Sequence, residues 1–291
     1  MRKVAVSLVI GFLLTVARPS TQNRPLVASG ATVERLASGF GFLEGPTADI
    51  NDNLYFSDIQ NERIHRWTPG NSISTFREAT GRANGLRFTP DGQLLICEMG
   101  NRRVTAIDAN GQMSILADKL EGRRFNSPND LWVDPTGGVY FSDPRYGADD
   151  DKKMEGDHVY YISPDRTKIR DVADDLVRPN GIVGTTDGSR LYVADHGAGR
   201  TYVYTPTDDG SLNDKSLFAS QGADGMTLDE MGNVYLTGQD ITVYDPNGVQ
   251  IASIAVPETP ANLAFGGANG TTLFLTARTS LYAVEMIVTG Q

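Results

Sequence analysis

A short apolar strand pattern recurs six times along this sequence, and that recurrence limits the folds open to the chain. The copies read NDNLYFSD, DGQLLICE, GGVYFSD, GSRLYVAD, GNVYLTG and GTTLFLTA, and their strands begin at steps of 39 to 52 residues. Each step is long enough for one four-stranded sheet. No segment shows the sustained 3.6-residue periodicity of a helix. The sequence therefore predicts an all-β fold, a six-bladed β-propeller.

Each copy is accompanied by further strand patterns. Most copies are followed by a second run in which apolar and polar residues alternate, such as RVTAID or RTYVYT, and this alternation is typical of a strand. A third element, such as ISTFREA or IRDVADDL, predicts the outer strand of each blade. The similar stretch TVERLAS stands before the first complete repeat. We expect it to supply the outer strand of the last blade, which closes the ring and leaves few free sheet edges, within a propeller domain spanning residues 30–291.

The first 25 residues are interpreted as an export signal. Arg2 and Lys3 precede a mainly apolar run from Val4 to Ala17, which is shorter than the roughly 20 residues that span a bilayer. A membrane anchor or a buried first strand is the alternative. On the export reading, the mature protein is periplasmic or extracellular and keeps no stable membrane span.

Composition excludes several classes of site. The chain has 26 Lys and Arg against 36 Asp and Glu, a net charge of −10, which argues against a nucleic-acid partner because that needs clustered basic residues. The single cysteine, Cys97, excludes an intramolecular disulfide framework and a thiolate zinc site. The three histidines do not stand at the spacing of zinc hydrolases. Any metal is therefore expected to be held by oxygen.

One polar position recurs 10 or 11 residues before each repeated strand. In every repeat it carries a side-chain oxygen, and because inner strands of a propeller surround a channel, these oxygens can converge on its axis. Carboxylate and amide oxygens form a site for a hard cation, with Ca²⁺ the preferred ion and Mg²⁺, Mn²⁺ or Zn²⁺ as alternatives. Asn and Asp beside Gly or Pro also mark ordinary turns. The six residues are Glu44, Asn84, Asn129, Asn180, Asp224 and Asn262.

The motifs LEGP, RFNSPNDL, RPNGI and ADGM, with NLAFGG, TLFLTA and SLY near the C-terminus, resemble the gluconolactonase/regucalcin (senescence marker protein) family of six-bladed propeller lactonases. The resemblance runs from about Glu34 to the C-terminus. It implies a divalent cation, usually Ca²⁺, bound by Glu44, Asn129, Asn180 and Asp224. Asn84 and Asn262 are not part of that ligand set and are expected to support the ligands or line the channel.

The resemblance implies hydrolysis of a sugar lactone, such as glucono-1,5-lactone, to the aldonic acid. The cation would polarise the lactone carbonyl, and Asp224 would act as general base or as nucleophile. No GxSxG motif supports a serine esterase. Asn84, Glu98, Arg124, Tyr146 and His196 are predicted to contact the substrate; Arg124 matches a family arginine that contacts sugar hydroxyls. For Arg124 the alternative is a solvated surface charge, and for Glu98, Tyr146 and His196 it is a packing or surface role.

Two other functions remain open at this stage. A related metal-dependent hydrolase would act on other lactones, aryl esters or organophosphates at the same site. A non-catalytic calcium-binding propeller is the second alternative, because a fold alone does not set function. The sequence does not distinguish a monomer from a dimer. The loop from Asp143 to Asp157 is either a lid or a solvated insertion.

Overall fold

The computed structural model describes residues 25–70, 72–146 and 153–291. Within these ranges the chain forms six four-stranded antiparallel sheets, and one two-stranded hairpin. The first strand, β1 (Glu34–Ser38), belongs to the last sheet. Blade 1 contains β2 (Leu43–Ala48), β3 (Leu54–Asp58), β4 (Arg63–Thr68) and β5 (Ser72–Glu78), and blade 2 contains β6 (Ala83–Phe88), β7 (Leu94–Glu98), β8 (Arg103–Ile107) and β9 (Met113–Ala117).

The hairpin of β10 (Lys119–Leu120) and β11 (Arg123–Arg124) separates blade 2 from blade 3. Blade 3 contains β12 (Leu131–Val133), β13 (Val139–Asp143), β14 (Asp157–Ile162) and β15 (Ile169–Leu176), and blade 4 contains β16 (Pro179–Gly184), β17 (Leu191–Asp195), β18 (Arg200–Pro206) and β19 (Leu212–Ala219). Blade 5 contains β20 (Met226–Leu228), β21 (Val234–Thr237), β22 (Ile241–Tyr244) and β23 (Gln250–Ile254), and blade 6 contains β24 (Pro260–Gly266), β25 (Thr272–Ala277), β26 (Ser280–Glu285) and β1.

The predicted repeat strands are the second strands of the six blades. Five of them begin at the predicted residue, and β25 begins at Thr272, one residue early. Each of the first two, β3 and β7, is buried along its whole length, because it lies between the faces of two neighbouring blades. In the outer strand β5, five of the seven residues are exposed. The six-bladed β-propeller predicted from the sequence is confirmed.

The ring closes through both ends of the folded chain. The first strands of consecutive blades contact one another all the way round, and β2 contacts β24 to complete the circle. Strand β1 pairs antiparallel with β26, with Glu34 opposite Ala283. The expectation that TVERLAS forms the outer strand of the last blade is therefore correct.

Apolar side chains between the blades form the core. Trp132 of blade 3 stacks on Tyr140 and belongs to a buried cluster that extends to Val234 in blade 5. Trp67 of blade 1 contacts Phe274 of blade 6, which packs the two blades that meet at the closure. Burying aromatic groups of this size contributes most of the cohesion between neighbouring sheets.

Two sequence predictions concern residues that are not described. The structure describes only residue 25 of the predicted export signal, because residues 1–24 lie outside the described ranges. Residues 147–152, the central part of the Asp143–Asp157 loop, also lie outside them. In the part of the chain that the structure covers, no helix is long and apolar enough to cross a membrane.

Candidate active site

The six repeated oxygen-bearing residues come together at one end of the central channel. We call this end the mouth: it is the face on which the first strand of each blade begins. Four of the residues lie near the start of a first strand, and Asn129 and Asp224 stand two residues before β12 and β20. Five of the six are at most 5% exposed, whereas Asp224 is half-buried. Asp224 is therefore the most accessible of the six residues.

Glycines that follow these residues allow neighbouring first strands to approach closely. A Cβ on Gly181 would lie 2.9 Å from the carbonyl oxygen of Asp224, and one on Gly85 would lie 2.7 Å from that of Asn129. A Cβ on Gly225 would lie 2.1 Å from Asn262 Oδ1. Real side chains do not tolerate such distances. The glycines are therefore required for a channel narrow enough to bring the six oxygens together.

Hydroxyl groups of the second strands fix the backbone at the same level. Ser57 Oγ donates to the Asn84 carbonyl at 2.6 Å, and Ser142 Oγ donates to the Asn180 carbonyl at 2.7 Å. Thr276 Oγ1 donates to the Asn262 carbonyl at 3.2 Å. Each bond anchors a channel residue to a buried strand, so the channel side chains project from a rigid support.

Carboxylates at the ends of second strands hold the loops that lead into first strands. Asp143 accepts hydrogen bonds from the amides of Asn126 and Ser127, both at 2.7 Å. Asp195 accepts one from the amide of Val177 at 2.9 Å, just before β16. These acids position the segments that carry Asn129 and Asn180 and do not face the channel themselves.

Glu98 occupies the corresponding strand end in blade 2. It is 3% exposed, and its carboxylate accepts hydrogen bonds from Thr105 Oγ1 and Arg103 Nε, both at 2.8 Å, and from Asn101 Nδ2 at 2.5 Å. The structure thus places Glu98 among protein donors at the base of a loop. Its predicted contact with substrate stays a prediction.

The two channel carboxylates lie close enough for the charge of Asp224 to act on Glu44. Burial raises the pKa of Glu44 well above its ordinary value, and the negative charge of Asp224 raises it further, against a hydrogen bond from the Gly45 amide at 3.0 Å. Burial also raises the pKa of Asp224, while His196, Asn180 and Arg278 oppose that rise. Two buried carboxylates in one channel are stabilised either by a proton or by a cation.

The amide groups present their oxygens in different ways. Asn180 Nδ2 donates to Asp224 Oδ1 at 2.5 Å and to Tyr146 Oη at 2.7 Å, so neither bond uses its oxygen. Asn84 Oδ1 is buried without a hydrogen-bond partner among the described residues. Asn262 Oδ1, by contrast, accepts the Leu263 amide at 2.8 Å. Asn262 is therefore less available to a cation than Asn180, in keeping with its absence from the ligand set that the resemblance implies.

Asp130 is a channel carboxylate that the sequence reading did not single out. It is 8% exposed, burial raises its pKa to about 6, and Asn262 Nδ2 lies 3.4 Å from its Oδ2. The charge of the buried Arg87 opposes that rise. The sequence signal for Asp130 is in the motif PNDL. The residue after the channel residue is an acid in this repeat, whereas it is glycine in four of the other repeats.

The residues present fit a hard divalent cation. No group of three or more His, Cys, Asp or Glu side chains in the described ranges is arranged to hold a metal. The channel instead combines carboxylates from Glu44 and Asp224 with amides from Asn129 and Asn180 at one level. Asp224 is half-buried and the other three are buried. Oxygen donors of this kind are what Ca²⁺ and Mg²⁺ prefer, and Ca²⁺ tolerates the looser geometry.

Several side chains surround the mouth. The Tyr146 ring lies 6.4 Å from that of His196, and burial raises the pKa of Tyr146. Arg124 is exposed on β11 and donates to the Asn101 carbonyl. Arg178, which the sequence reading missed, lies 5.9 Å from the centre of the Tyr146 ring. These positions leave the predicted substrate contacts of Tyr146, His196 and Arg124 as predictions.

A cavity of about 300 Å³ opens beside the mouth, a volume at the lower end of the range for small-molecule sites. It is lined by Arg82, Met99, Gly100, Arg102, Ser127, Arg145 and Tyr146. A larger cavity of about 860 Å³ lies between blades 1 and 2 at the opposite face, around the turns at Asn51 and Gly92. None of the six channel residues lines either cavity, but Tyr146 lines the smaller one and accepts a hydrogen bond from Asn180. The smaller cavity is therefore the better candidate for a substrate pocket.

Comparison with known proteins shows close similarity over most of the chain. The profile of the SMP-30/gluconolactonase/LRE-like region matches residues 42–279. The gluconolactonase of Zymomonas mobilis is 31% identical over 288 residues, covering 87% of this chain and 81% of that protein. A gluconolactonase structure from Xanthomonas campestris superposes with a TM-score of 0.83 at 28% identity, covering 90% and 91% of the two chains. The calcium-binding protein regucalcin from Agrobacterium tumefaciens shares the fold, with a TM-score of 0.75 at 20% identity over 92% and 96%.

Proposed function

This chain belongs to the SMP-30/gluconolactonase/LRE-like family, and on that premise we propose that it hydrolyses a sugar lactone, such as glucono-1,5-lactone, to the aldonic acid with the help of a divalent cation. The family and the related gluconolactonases make the chain a lactonase. Its metal, its substrate and the roles of its residues are the substance of the proposal.

The observation that carries the proposal is the convergence of two carboxylates, Glu44 and Asp224, at one level of a channel that also holds amide side chains, where Asn180 Nδ2 donates to Asp224. The residues that would hold the cation are Glu44, Asn129, Asn180 and Asp224, with Ca²⁺ the ion that best suits them. When bound, such a cation would supply a Lewis acid that polarises the lactone carbonyl. At this identity the regucalcin structure supports only the fold, so the choice of Ca²⁺ rests on the donor chemistry.

Asp224 is the residue best placed to move a proton. Its Oδ1 accepts the Asn180 amide at 2.5 Å, which orients the carboxylate and leaves Oδ2 free of that bond. In the proposed step a water oxygen attacks the lactone carbonyl carbon and its proton passes to Asp224. The bond between that carbon and the ring oxygen then breaks, the ring oxygen takes up the proton, and the hydroxy acid is released.

The alternative role for Asp224 is nucleophilic attack on the same carbon, followed by hydrolysis of the acyl-enzyme. A single turnover in ¹⁸O-labelled water tests for the nucleophile. That route forms a mixed anhydride, and label enters the Asp224 carboxylate when water attacks its Cγ, whereas a general base leaves Asp224 unlabelled.

The direct test compares Asp224→Asn with Asp245→Asn, which changes an acid of the same blade in a turn at the opposite face. Lactone hydrolysis is followed by acid release. We expect kcat/KM to fall by about 10²- to 10⁴-fold in Asp224→Asn and to stay unchanged in Asp245→Asn. Wild-type rates in both Asp224→Asn and chelator-treated protein would refute the proposal.

A metal and substrate panel tests the remaining parts. Metal-stripped protein is refilled with Ca²⁺, Mg²⁺, Mn²⁺ or Zn²⁺ and assayed on lactones, an aryl ester and a phosphotriester. Preference for lactones supports the proposal, and preference for one of the other substrates favours the related hydrolase. Export to the periplasm or medium is also part of the proposal, and a mature mass that lacks about 25 N-terminal residues would support it.

A further inference from the structure

Arginines at the mouth adopt a backbone conformation that arginine rarely takes. Arg82, Arg178 and Arg278 have φ angles of 57°, 58° and 51°, in the left-handed region that favours glycine, asparagine or aspartate. Such positions are strained and occur often at functional sites. Since glycine would serve the backbone better here, the arginine side chains themselves are the feature to explain.

These three arginines come from different blades but stand at the same face. Arg82 and Arg178 directly precede the first strands β6 and β16, and Arg278 lies in the turn between β25 and β26. All three are exposed. Their guanidinium groups form no ion pair with any carboxylate in the described part of the chain. We call Arg82, Arg178 and Arg278 the arginine rim.

The rim lies within electrostatic reach of the channel. Burial raises the pKa values of Asp224 and Tyr146, and the charges of Arg278 and Arg178, respectively, oppose that rise. Arg278 also lies 5.7 Å from the Phe42 ring centre, two residues before Glu44. Arg82 lines the 300 Å³ cavity beside the mouth together with Arg102 and Arg145, which donate to the Phe125 carbonyl and to Ser127 Oγ.

The charge balance of the loaded site leaves the rim without a counter-ion. A divalent cation offsets Glu44 and Asp224, and the charge of Arg87 acts on Asp130, so the rim guanidinium groups are not needed to neutralise the channel. The whole chain nevertheless carries a net charge of −10, so three exposed arginines at one face, from blades 2, 4 and 6, run against its overall sign. Positive groups at the entrance of a pocket attract anionic ligands.

We propose that the lactone substrate carries an anionic group, a carboxylate or a phosphate, that the arginine rim attracts and orients with the help of the adjoining cavity. The proposal rests on the proposed function for the site and narrows its substrate class. Neutral lactones would then be poorer substrates than acidic lactones of the same ring.

Binding measurements test the charge preference without requiring turnover. Methyl glucoside, methyl glucosiduronate and methyl glucoside 6-phosphate share one sugar ring and lack a lactone. Calorimetry on Ca²⁺-loaded wild-type protein is expected to show at least about 10-fold tighter binding of an anionic analogue, with the preference falling as ionic strength rises. The two anionic analogues separate a carboxylate site from a phosphate site. Equal or absent binding of all three would overturn the proposal.

Substitutions in the rim make the test specific. Each of Arg82→Gln, Arg178→Gln and Arg278→Gln is expected to reduce the anion preference by about 2- to 5-fold, and Arg→Lys at the same position should restore most of it. Arg166→Gln is the matched control, because Arg166 has a φ of 60° in a turn at the opposite face. Loss of preference in Arg166→Gln, or its retention in the triple rim variant, would contradict the assignment.

Turnover measurements distinguish the two proposals. Two lactones of the same ring, one with a hydroxymethyl group and one with a carboxylate, are compared by kcat/KM. Hydrolysis of both at equal rates leaves the lactonase assignment intact and overturns the rim proposal. Anion-selective binding without hydrolysis of either lactone supports the rim and refutes the proposed reaction.

Discussion

Replacing Gly181 by alanine tests whether close approach of the first strands positions the site. Gly181 lies inside β16, and a Cβ there would be 2.9 Å from the Asp224 carbonyl and 3.1 Å from Gly225 Cα. Ordinary contacts begin at 3.4 Å, so the neighbouring strand must move by about 0.5 Å. The atoms in the way are backbone atoms of the segment that carries Asp224, and they cannot rotate aside.

The expected magnitude combines two opposing effects on stability. Overpacking of this kind costs about 1–3 kcal/mol, and the lower entropy of the unfolded alanine chain returns about 0.4–1 kcal/mol. We expect a net loss of about 1–2 kcal/mol in the free energy of unfolding. A displacement of 1 Å at reacting groups costs about 10²-fold in rate, so half of that predicts about a 10-fold lower kcat.

Gly238→Ala provides the matched control. Gly238 follows β21 in the same blade as Asp224 and has no left-handed φ. The nearest atom to a Cβ there would be the side-chain atom Gln221 Nε2, at 3.3 Å, and no backbone atom lies closer. That variant should be as stable as wild type or slightly more stable, with unchanged activity. Urea unfolding and acid-release assays measure both quantities. Wild-type stability and kcat in Gly181→Ala would refute the reasoning from strand spacing.

Two further predictions concern protonation. Burial raises the pKa of Asp143 to about 7, so the folded state binds a proton more tightly than the unfolded state. Stability should therefore fall as the pH rises from about 4 to about 7, by at most about 1.4 kcal/mol per pH unit. In urea unfolding, the difference in unfolding free energy between wild type and Asp143→Asn should change over that range, and a pH-independent difference would contradict this. Because the pKa of Glu44 is raised, Ca²⁺ binding should release protons and weaken as the pH falls. Calorimetry in buffers of different ionisation enthalpy measures the proton release. The absence of proton release between pH 5 and 7 would contradict a role for Glu44 as a ligand.

The sequence predicts the architecture because its evidence is local and repeated. The strand patterns from Leu54 onward recur with their turns. The stretch at Glu34 precedes the first complete repeat, and the one blade position left for it is the outer strand beside β26. Register alone also brings the six channel residues to one level. Each of these inferences needs only the period of the strands and the number of blades.

The parts that sequence reading missed depend on distances between blades. Gly181 stands in an Asn-Gly pair that resembles a turn signal, yet it lies within a strand and serves close packing. From its sequence context, Asp130 resembles an acid in a turn, but in the structure it is buried at the channel. The three protein donors that surround the Glu98 carboxylate are likewise seen only in the structure. No local pattern distinguishes an acid that holds a loop from one that faces a ligand.

The pairing of β1 with β26 has a consequence for biosynthesis. A ribosome delivers Glu34 some 250 residues before its partner Ala283, so β1 stays without its neighbour until β26 has been made. Blades 1 to 5 can assemble as they emerge, but the sixth requires both β1 and β26. Closure of the ring is therefore a late step with a large loop-closure entropy, and nascent chains stalled before β26 should expose an incomplete ring to proteases and chaperones.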